Sequence, residues 1–257
     1  MRFYNDACAT TKTNLMATSA QPYMHATAQL WAAWGVHAYT ASGAIAAFAG
    51  TLAVIAGDYR AAFLCMVAAT FVDATDGVLA RLARVKELVP GFDGARLDDI
   101  VDYLTYVFLP VLLLYHAGDL PRGAAGFLTS AAVLLSSAYG FASLDAKTED
   151  YLFTGFPSYW NIGALYLHVA GLPPAVNAAV LWLFVSLVFV RVGYVYPSRT
   201  PVLRGLTVTL GIVWALMVLA IVLAMPDVPR WLWIGSLFFP VYYFMLSFAL
   251  QMRGRQS

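Results

Sequence analysis

Charged residues are scarce in this chain of 257 residues, and it has only two cysteines. Charged side chains make up 11% and hydrophobic ones 61%, which excludes an ordinary soluble domain and indicates a polytopic membrane protein. The net charge of +1 offers no electrostatic basis for binding nucleic acid. Cys8 and Cys65 predict neither a disulfide framework nor a thiolate metal site. Residues 1–24 lack the apolar core of a cleavable signal peptide, so the first true span is expected to direct insertion.

What the chain does contain is a series of long apolar runs. Eight of them approach the length of about 20 residues that crosses a bilayer, and breakers containing Gly or Pro separate them. They cover residues 38–56, 60–80, 97–117, 123–143, 156–172, 174–195, 205–225 and 231–251. The sequence therefore predicts an all-α fold, a polytopic membrane helix bundle of about eight transmembrane helices.

The polar start of the chain is predicted to be separate from this bundle. Residues 25–36 have the composition of a short interfacial helix, with Trp31 and Trp34 at the level of the lipid headgroups. We therefore expect residues 1–36 to form a cytoplasmic leader with an interfacial helix. Residues 37–257 are expected to form a single membrane domain.

The distribution of Lys and Arg predicts the orientation of the bundle. Twelve of the fifteen fall on one face of the predicted topology, and only Arg60, Arg122 and Arg230 fall on the other. The positive-inside rule makes the first face cytoplasmic and places both termini there.

Seven of the fourteen acidic residues lie between Asp73 and Asp102. Asp73 and Asp76 stand at i, i+3 on the second predicted span, and Asp98 and Asp102 stand at i, i+4 on the third, so each pair shares one helix face. Carboxylates at membrane depth are costly unless they are paired or bound to metal, and four around one pocket cannot all stay ionised without cations. Oxygen ligands favour Mg²⁺ or Mn²⁺, and this number of them could hold two ions.

Small residues follow the first acid pair. Gly77 and Ala80 would let a nucleotide lie against the backbone, and Arg81 could pair with a carboxylate or a phosphate. Two alternatives are that the acids are structural ion pairs, or that they line an ion or proton pathway such as a divalent-cation transporter. A transporter would not need these small residues, and it would be expected to carry polar residues through both halves of the membrane.

The spacing of these residues resembles the signature of the CDP-alcohol phosphotransferase family, Asp-x2-Asp-Gly-x2-Ala-Arg-x8-Gly-x3-Asp-x3-Asp. Every fixed residue is present: Asp73, Asp76, Gly77, Ala80, Arg81, Gly94, Asp98 and Asp102. The spacer over residues 82–93 has twelve residues instead of eight, which resembles the bacterial branch that joins CDP-diacylglycerol directly to choline. The eight predicted spans and the stretch 145–161 are also similar to that branch.

The resemblance implies a multi-pass enzyme of the bacterial cytoplasmic (inner) membrane, with its active site facing the cytoplasm. It would transfer the phosphatidyl group from CDP-diacylglycerol to choline by direct attack, release CMP, and form a homodimer. Asp73, Asp76 and Asp98 would be metal ligands, and Asp102 would be both a ligand and the general base. The same chemistry with serine or inositol as acceptor is the nearest alternative.

Further residues are implied for the CDP-lipid. Gly77, Ala80 and Arg81 would hold the CDP portion, and Gly94 would allow close approach of the second helix. Thr40 and Ser42, at the beginning of the first span, are candidates for contact with the nucleotide, although Ser and Thr in spans more often satisfy backbone carbonyls. Lys147 would meet the lipid diphosphate, unless it is only a positive-inside residue.

Choline has a permanent positive charge, so aromatic faces and nearby carboxylates are expected to recognise it. The candidates near Asp102 and in the fourth connection are Tyr103, Tyr106, Glu149, Tyr159 and Trp160. Each aromatic residue alone could equally belong to an interfacial belt. Between residues 101 and 190 the only Lys and Arg are Arg122 and Lys147, which disfavours a phosphorylated acceptor.

Overall fold

The computed structural model describes residues 5–143, 152–154, 156, 158–190, 193–195 and 203–254. The helices, in chain order, are α1 (Asn5–Ile55), α2 (Tyr59–Leu82), α3 (Val85–Leu88), α4 (Gly94–Asp102), a π-helical segment (Tyr103–Phe108), α5 (Leu109–His116), α6 (Ala124–Ala142), α7 (Trp160–Ala170), α8 (Pro174–Val188), α9 (Arg204–Ala224), α10 (Arg230–Ser236) and α11 (Phe238–Gly254). Two three-residue strands, β1 (Leu152–Thr154) and β2 (Gly193–Val195), form one antiparallel ribbon. The predicted helical class is confirmed, with this ribbon as a small addition.

Within the described part of the chain, five helices are long and apolar enough to cross a membrane. They are Thr27–Ile55, Tyr59–Leu82, Ala124–Ala142, Arg204–Ala224 and Arg230–Leu250. The other three predicted spans are also helical but are shorter or segmented. The third consists of α4, the π-helical segment and α5, with 9, 6 and 8 residues, while α7 has 11 and α8 has 15. A polytopic helical membrane protein is therefore confirmed, and the count of eight spans stays a prediction.

The predicted interfacial helix is not a separate element. Residues 25–36 continue without a break into the first span as part of α1. No proline falls between these positions, and Gly35 has no neighbour that forces a bend. A continuous helix also satisfies every backbone group within the segment, which apolar surroundings favour. The predicted boundary between residues 36 and 37 therefore falls inside a helix.

Two aspartate caps begin the helices that carry the acid cluster. Asp58 Oδ1 accepts the Ala61 N–H at 2.9 Å at the start of α2, and Asp93 Oδ1 accepts the Arg96 N–H at 3.1 Å at the start of α4. Each side chain satisfies one of the backbone donors that the first turn leaves without a partner. These caps fix where α2 and α4 begin, and so fix which residues face the bundle.

Helix α1 packs closely on the third helical run because glycines face it. A Cβ on Gly43 would lie 2.5 Å from Val101 Cγ1, and one on Gly50 would lie 2.6 Å from Leu109 Cδ2. The main core continues from there, and its largest fully buried side chains include Phe63, Leu109 and Trp160. This packing brings the end of α2, the start of α4 and the middle of α1 together at one end of the bundle, which we call the acid end.

Candidate active site

Three aspartates from two helices meet at the acid end. One carboxylate oxygen from each of Asp73, Asp98 and Asp102 lies within 4.8 Å of the others, and all three side chains are half-buried. Asp73 comes from α2, whereas Asp98 and Asp102 come from successive turns of α4. An all-oxygen donor set of this kind suits a hard divalent cation. The cluster could therefore hold a metal ion.

Asp76 lies one turn beyond Asp73 on α2 and is 8% exposed. Its Oδ2 accepts a hydrogen bond from Thr40 Oγ1 of α1 at 2.7 Å. Among the described residues, the group of mutually close acids has three members and does not include Asp76. The structure therefore brings Asp76 to the edge of the cluster, where Thr40 orients its carboxylate.

Tyr106 joins the cluster through its hydroxyl group. This hydroxyl donates to Asp73 Oδ2 at 2.8 Å, and the side chain is 8% exposed. Tyr103, three residues earlier in the π-helical segment, points elsewhere: its hydroxyl donates to the Leu134 carbonyl of α6 at 3.0 Å, and its ring packs edge-on against Phe141. The two tyrosines predicted to flank the acceptor therefore have different surroundings.

Residues 159 and 160 also separate into two environments. The Tyr159 ring is half-buried beside Tyr106, with ring centroids 6.4 Å apart, and it meets Tyr243 of α11 at 6.3 Å. Trp160 is 2% exposed, and its indole N–H donates to Ser137 Oγ of α6 at 2.7 Å. Tyr159 therefore lies near the acid cluster, while Trp160 belongs to the core.

Asn161 and Thr70 connect α7 to the helix that carries Asp73. The Asn161 Nδ2 donates to Thr70 Oγ1 at 3.2 Å, and Thr70 precedes Asp73 by three residues. Sequence reasoning missed both residues. The signal was present, because an amide in an apolar span is costly unless it is hydrogen-bonded.

Gly77 leaves space beside α2, whereas Ala80 packs against the cluster of Ala33, Val85 and Val89. A Cβ on Gly77 would meet only Arg81 Nη1 within 4 Å, at 3.6 Å, while Ala80 is half-buried and Arg81 is exposed. Ser42 donates to the Tyr39 carbonyl within α1 at 2.6 Å, so its hydroxyl satisfies its own helix. Gly77 and Arg81 could accommodate a ligand, and Ser42 has a local structural contact.

Gly94 is a second close contact between α4 and α1. A Cβ added there would lie 2.8 Å from His37 Cε1 and 3.3 Å from His37 Nδ1. His37 is buried, and its ring also packs against Phe92 with centroids 4.4 Å apart. Only glycine at position 94 allows the histidine and the start of α4 to approach this closely.

The long spacer contains its own small helix, α3. Val85 and Val89 are buried against Ala33 of α1, so the spacer packs on the first helix. On the outer face of the spacer, Arg84 forms a salt bridge with Glu87. The hydrogen bond from Arg84 is the larger cause, and its positive charge the smaller cause, of a lowered pKa of the Glu87 carboxyl. Two further predicted site residues, Lys147 and Glu149, lie outside the described residues.

No protein-family model matches the chain. Among curated proteins, it is similar to one from Legionella pneumophila named phosphatidylcholine synthase, with 46% identity over 66% of this chain and 67% of that protein. A Pseudomonas aeruginosa protein of the same name is 40% identical over 71% of this chain and 76% of its own length. A third, from Rhizobium meliloti, is 33% identical over 85% of this chain and 90% of its own length.

Proposed function

This chain belongs to the phosphatidylcholine synthase family, and from that premise we propose that its acid end carries out a metal-dependent phosphatidyl transfer. The protein transfers the phosphatidyl group of CDP-diacylglycerol to choline and releases CMP. The observation that carries the assignment to this site is the convergence of Asp73, Asp98 and Asp102. Serine or inositol as acceptor is not favoured, because three relatives over most of the chain have the choline product in their name.

The acid cluster fits the cations that this chemistry needs. Asp73, Asp98 and Asp102 offer hard oxygen donors, and Asp76 adds a fourth carboxylate one turn away. This set would hold Mn²⁺ or Mg²⁺. Four carboxylates have enough negative charge to balance two divalent ions. When bound, such ions neutralise the diphosphate and polarise the phosphorus under attack.

Asp102 is the proposed general base. Its position on α4, in the cluster and one turn from Asp98, places a carboxylate beside the reacting groups. It takes the proton of the choline hydroxyl as the choline oxygen forms a bond to the lipid phosphorus. The bond between that phosphorus and the bridging oxygen breaks, and CMP leaves with this oxygen. A positioned base of this type contributes about 10²–10⁴-fold to a rate.

The open side of α2 is the proposed seat of the CDP group. Gly77 allows the nucleotide to approach the backbone, and the exposed Arg81 can pair with a phosphate. Ala80 stays a proposal for the same site, with its side chain packed against α1 and α3. Gly94 serves the same site by letting α4 approach α1. Thr40 acts through its hydrogen bond to Asp76. Ser42 and Lys147 stay proposals for the CDP-lipid, the first with its hydroxyl bonded to its own helix.

The acceptor is proposed to lie between the acid cluster and the start of α7. The half-buried ring of Tyr159 is near the cluster, and Tyr106 presents a ring beside it. A quaternary ammonium is attracted to such ring faces. Tyr103 and Trp160 hydrogen-bond to α6 and would support the acceptor site indirectly, without contacting choline. We also propose that the carboxylate of Glu149 balances the positive charge of choline.

The same proposal covers the setting of the enzyme. We place it in the bacterial inner membrane as a homodimer, with the acid end and both termini on the cytoplasmic side, as the distribution of Lys and Arg favours. Choline then arrives from the cytoplasm, and CDP-diacylglycerol enters from the membrane.

Purified protein in detergent tests this function. CDP-diacylglycerol and Mn²⁺ are supplied with choline, serine, inositol or glycerol phosphate in separate reactions, and released CMP is measured. We expect CMP release with choline alone. Release with another acceptor only, or equal release without any acceptor, refutes the assignment.

A further inference from the structure

The Tyr106 hydroxyl has a specific partner in the acid cluster. It donates to Asp73 Oδ2 at 2.8 Å from a side chain that is 8% exposed. A hydrogen bond to a carboxylate is stronger than one between neutral groups, and burial removes competing water. This contact therefore restricts the orientation of the Asp73 carboxylate.

The backbone around Tyr106 is irregular at this point. The third helical run widens into a π-helix over Tyr103–Phe108, and the Leu109 N–H bonds the Leu104 carbonyl five residues earlier. Thr105, which is buried, donates its hydroxyl to the Val101 carbonyl at 3.0 Å. Single π-turns inside α-helices are frequent at functional sites. Here the turn directly follows Asp102.

The helix that carries Asp73 is held from a second side. Asn161 of α7 donates to Thr70, one turn before Asp73. The Thr70 hydroxyl in turn donates to the Met66 carbonyl at 2.9 Å. Asn161 therefore contacts the helix through Thr70, whereas Tyr106 contacts the Asp73 carboxylate itself.

We propose that Tyr106 is a positioning residue of the metal site, whose hydroxyl holds Asp73 in the orientation that binds the cation. This inference rests on the proposed function, because it takes Asp73 to be a metal ligand. It assigns the hydroxyl of Tyr106 to the metal site rather than to choline.

Removal of the Tyr106 hydroxyl should lower the affinity for the metal ion while the protein keeps its fold. Groups that orient a metal ligand typically change metal affinity or activity by about 10–100-fold when they are removed. Tyr106→Phe removes only the hydroxyl and keeps the ring. Tyr103→Phe is a matched control in the same π-helical segment, because its hydroxyl bonds a backbone carbonyl away from the acids.

The experiment measures Mn²⁺ binding by electron paramagnetic resonance on purified protein without substrate. We expect Tyr106→Phe to raise the dissociation constant about tenfold or more, and Tyr103→Phe to leave it within about twofold. At saturating Mn²⁺, the KM for choline should be that of wild type. In an Asp73→Asn background, Tyr106→Phe should cause no further loss.

Two results overturn the proposal. One is equal Mn²⁺ affinity in the two tyrosine variants, and the other is a raised KM for choline with unchanged Mn²⁺ affinity, which would assign the hydroxyl to the acceptor. If the Phe variant does not fold, Tyr106→p-aminophenylalanine keeps a donor on the same ring and should keep wild-type affinity; a tenfold loss there contradicts the proposal. Choline-dependent CMP release by wild type is measured separately, so failure of the proposed function is recognised on its own.

Discussion

Position 94 has no space for a side chain as small as the methyl group of alanine. The Cβ of an alanine would meet His37 Cε1 at 2.8 Å, and the buried ring has little room to move. Overpacking of this kind costs about 1–3 kcal/mol. We expect Gly94→Ala to lower the thermal unfolding temperature in detergent and to reduce CMP release.

A second substitution distinguishes this clash from other effects of alanine. His37→Ala removes the obstructing ring, so the double variant Gly94→Ala with His37→Ala should recover stability relative to Gly94→Ala alone. The loss of stability caused by Gly94→Ala is measured in the wild-type protein and again in the His37→Ala protein, and it should be smaller in the second. No recovery would mean that the glycine is needed for a reason other than the histidine.

Asp102 gives the clearest residue-scale prediction for chemistry. Asp102→Asn keeps the shape of the side chain but removes its ability to take the choline proton. We expect turnover to fall by at least about 100-fold, while binding of CDP-diacylglycerol changes little. Asp99→Asn, next to the cluster on α4 but outside it, is the control and should keep most of the activity. Near-wild-type turnover by Asp102→Asn would refute the base assignment.

At the scale of the elements, the spacer is an anchored helix rather than a loose loop. Val85 of α3 is buried against α1, and the neighbouring Lys86 is exposed. Val85→Asn should therefore lower CMP release and the unfolding temperature, because it detaches the connection between the two acid-bearing helices. Lys86→Asn, one position away, should change neither. Equal effects of the two would mean that this packing does not matter to the site.

The opposite end of the bundle is tied by a separate polar cluster. His168 Nδ1 lies 2.7 Å from Asp119 Oδ2, and Asn177 Nδ2 donates to the Asp119 carbonyl at 2.9 Å. We expect Asp119→Ala to destabilise the fold by about 1 kcal/mol, or about 2–4 °C in unfolding temperature. Choline-dependent CMP release per folded protein should stay at the wild-type level. The exposed Asp227→Ala is the control and should unfold like wild type.

The helices could be predicted from the sequence where long apolar runs determine them. All eight apolar runs contain helix, and Asp98 and Asp102, spaced i, i+4, lie together with Asp73 as predicted, while Asp76, at i+3 from Asp73, lies outside this group. The π-helical segment was beyond prediction, because one extra residue in a helical turn leaves no mark in an apolar run. The surroundings of Tyr103 and Trp160 were also beyond it, since composition does not tell an aromatic ring in the core from one beside a ligand.

At the scale of the whole molecule, the exposed apolar surface fits a lipid environment. Large side chains such as Phe48, Phe127, Leu135 and Leu216 are more than half exposed on three different helices. The acids instead converge inside the bundle at one end. A chain with this surface needs lipid around it, and it encloses its polar chemistry between helices.

The central claim is that this acid cluster joins choline to the phosphatidyl group only with a divalent cation. The most direct test follows labelled choline into phosphatidylcholine, with CDP-diacylglycerol, purified wild-type protein, and either Mn²⁺ or excess chelator. We predict labelled lipid with Mn²⁺, background levels with chelator, and recovery when Mn²⁺ is restored. Undiminished labelling in chelator, or no labelling with Mn²⁺ by protein that is folded, would contradict the account.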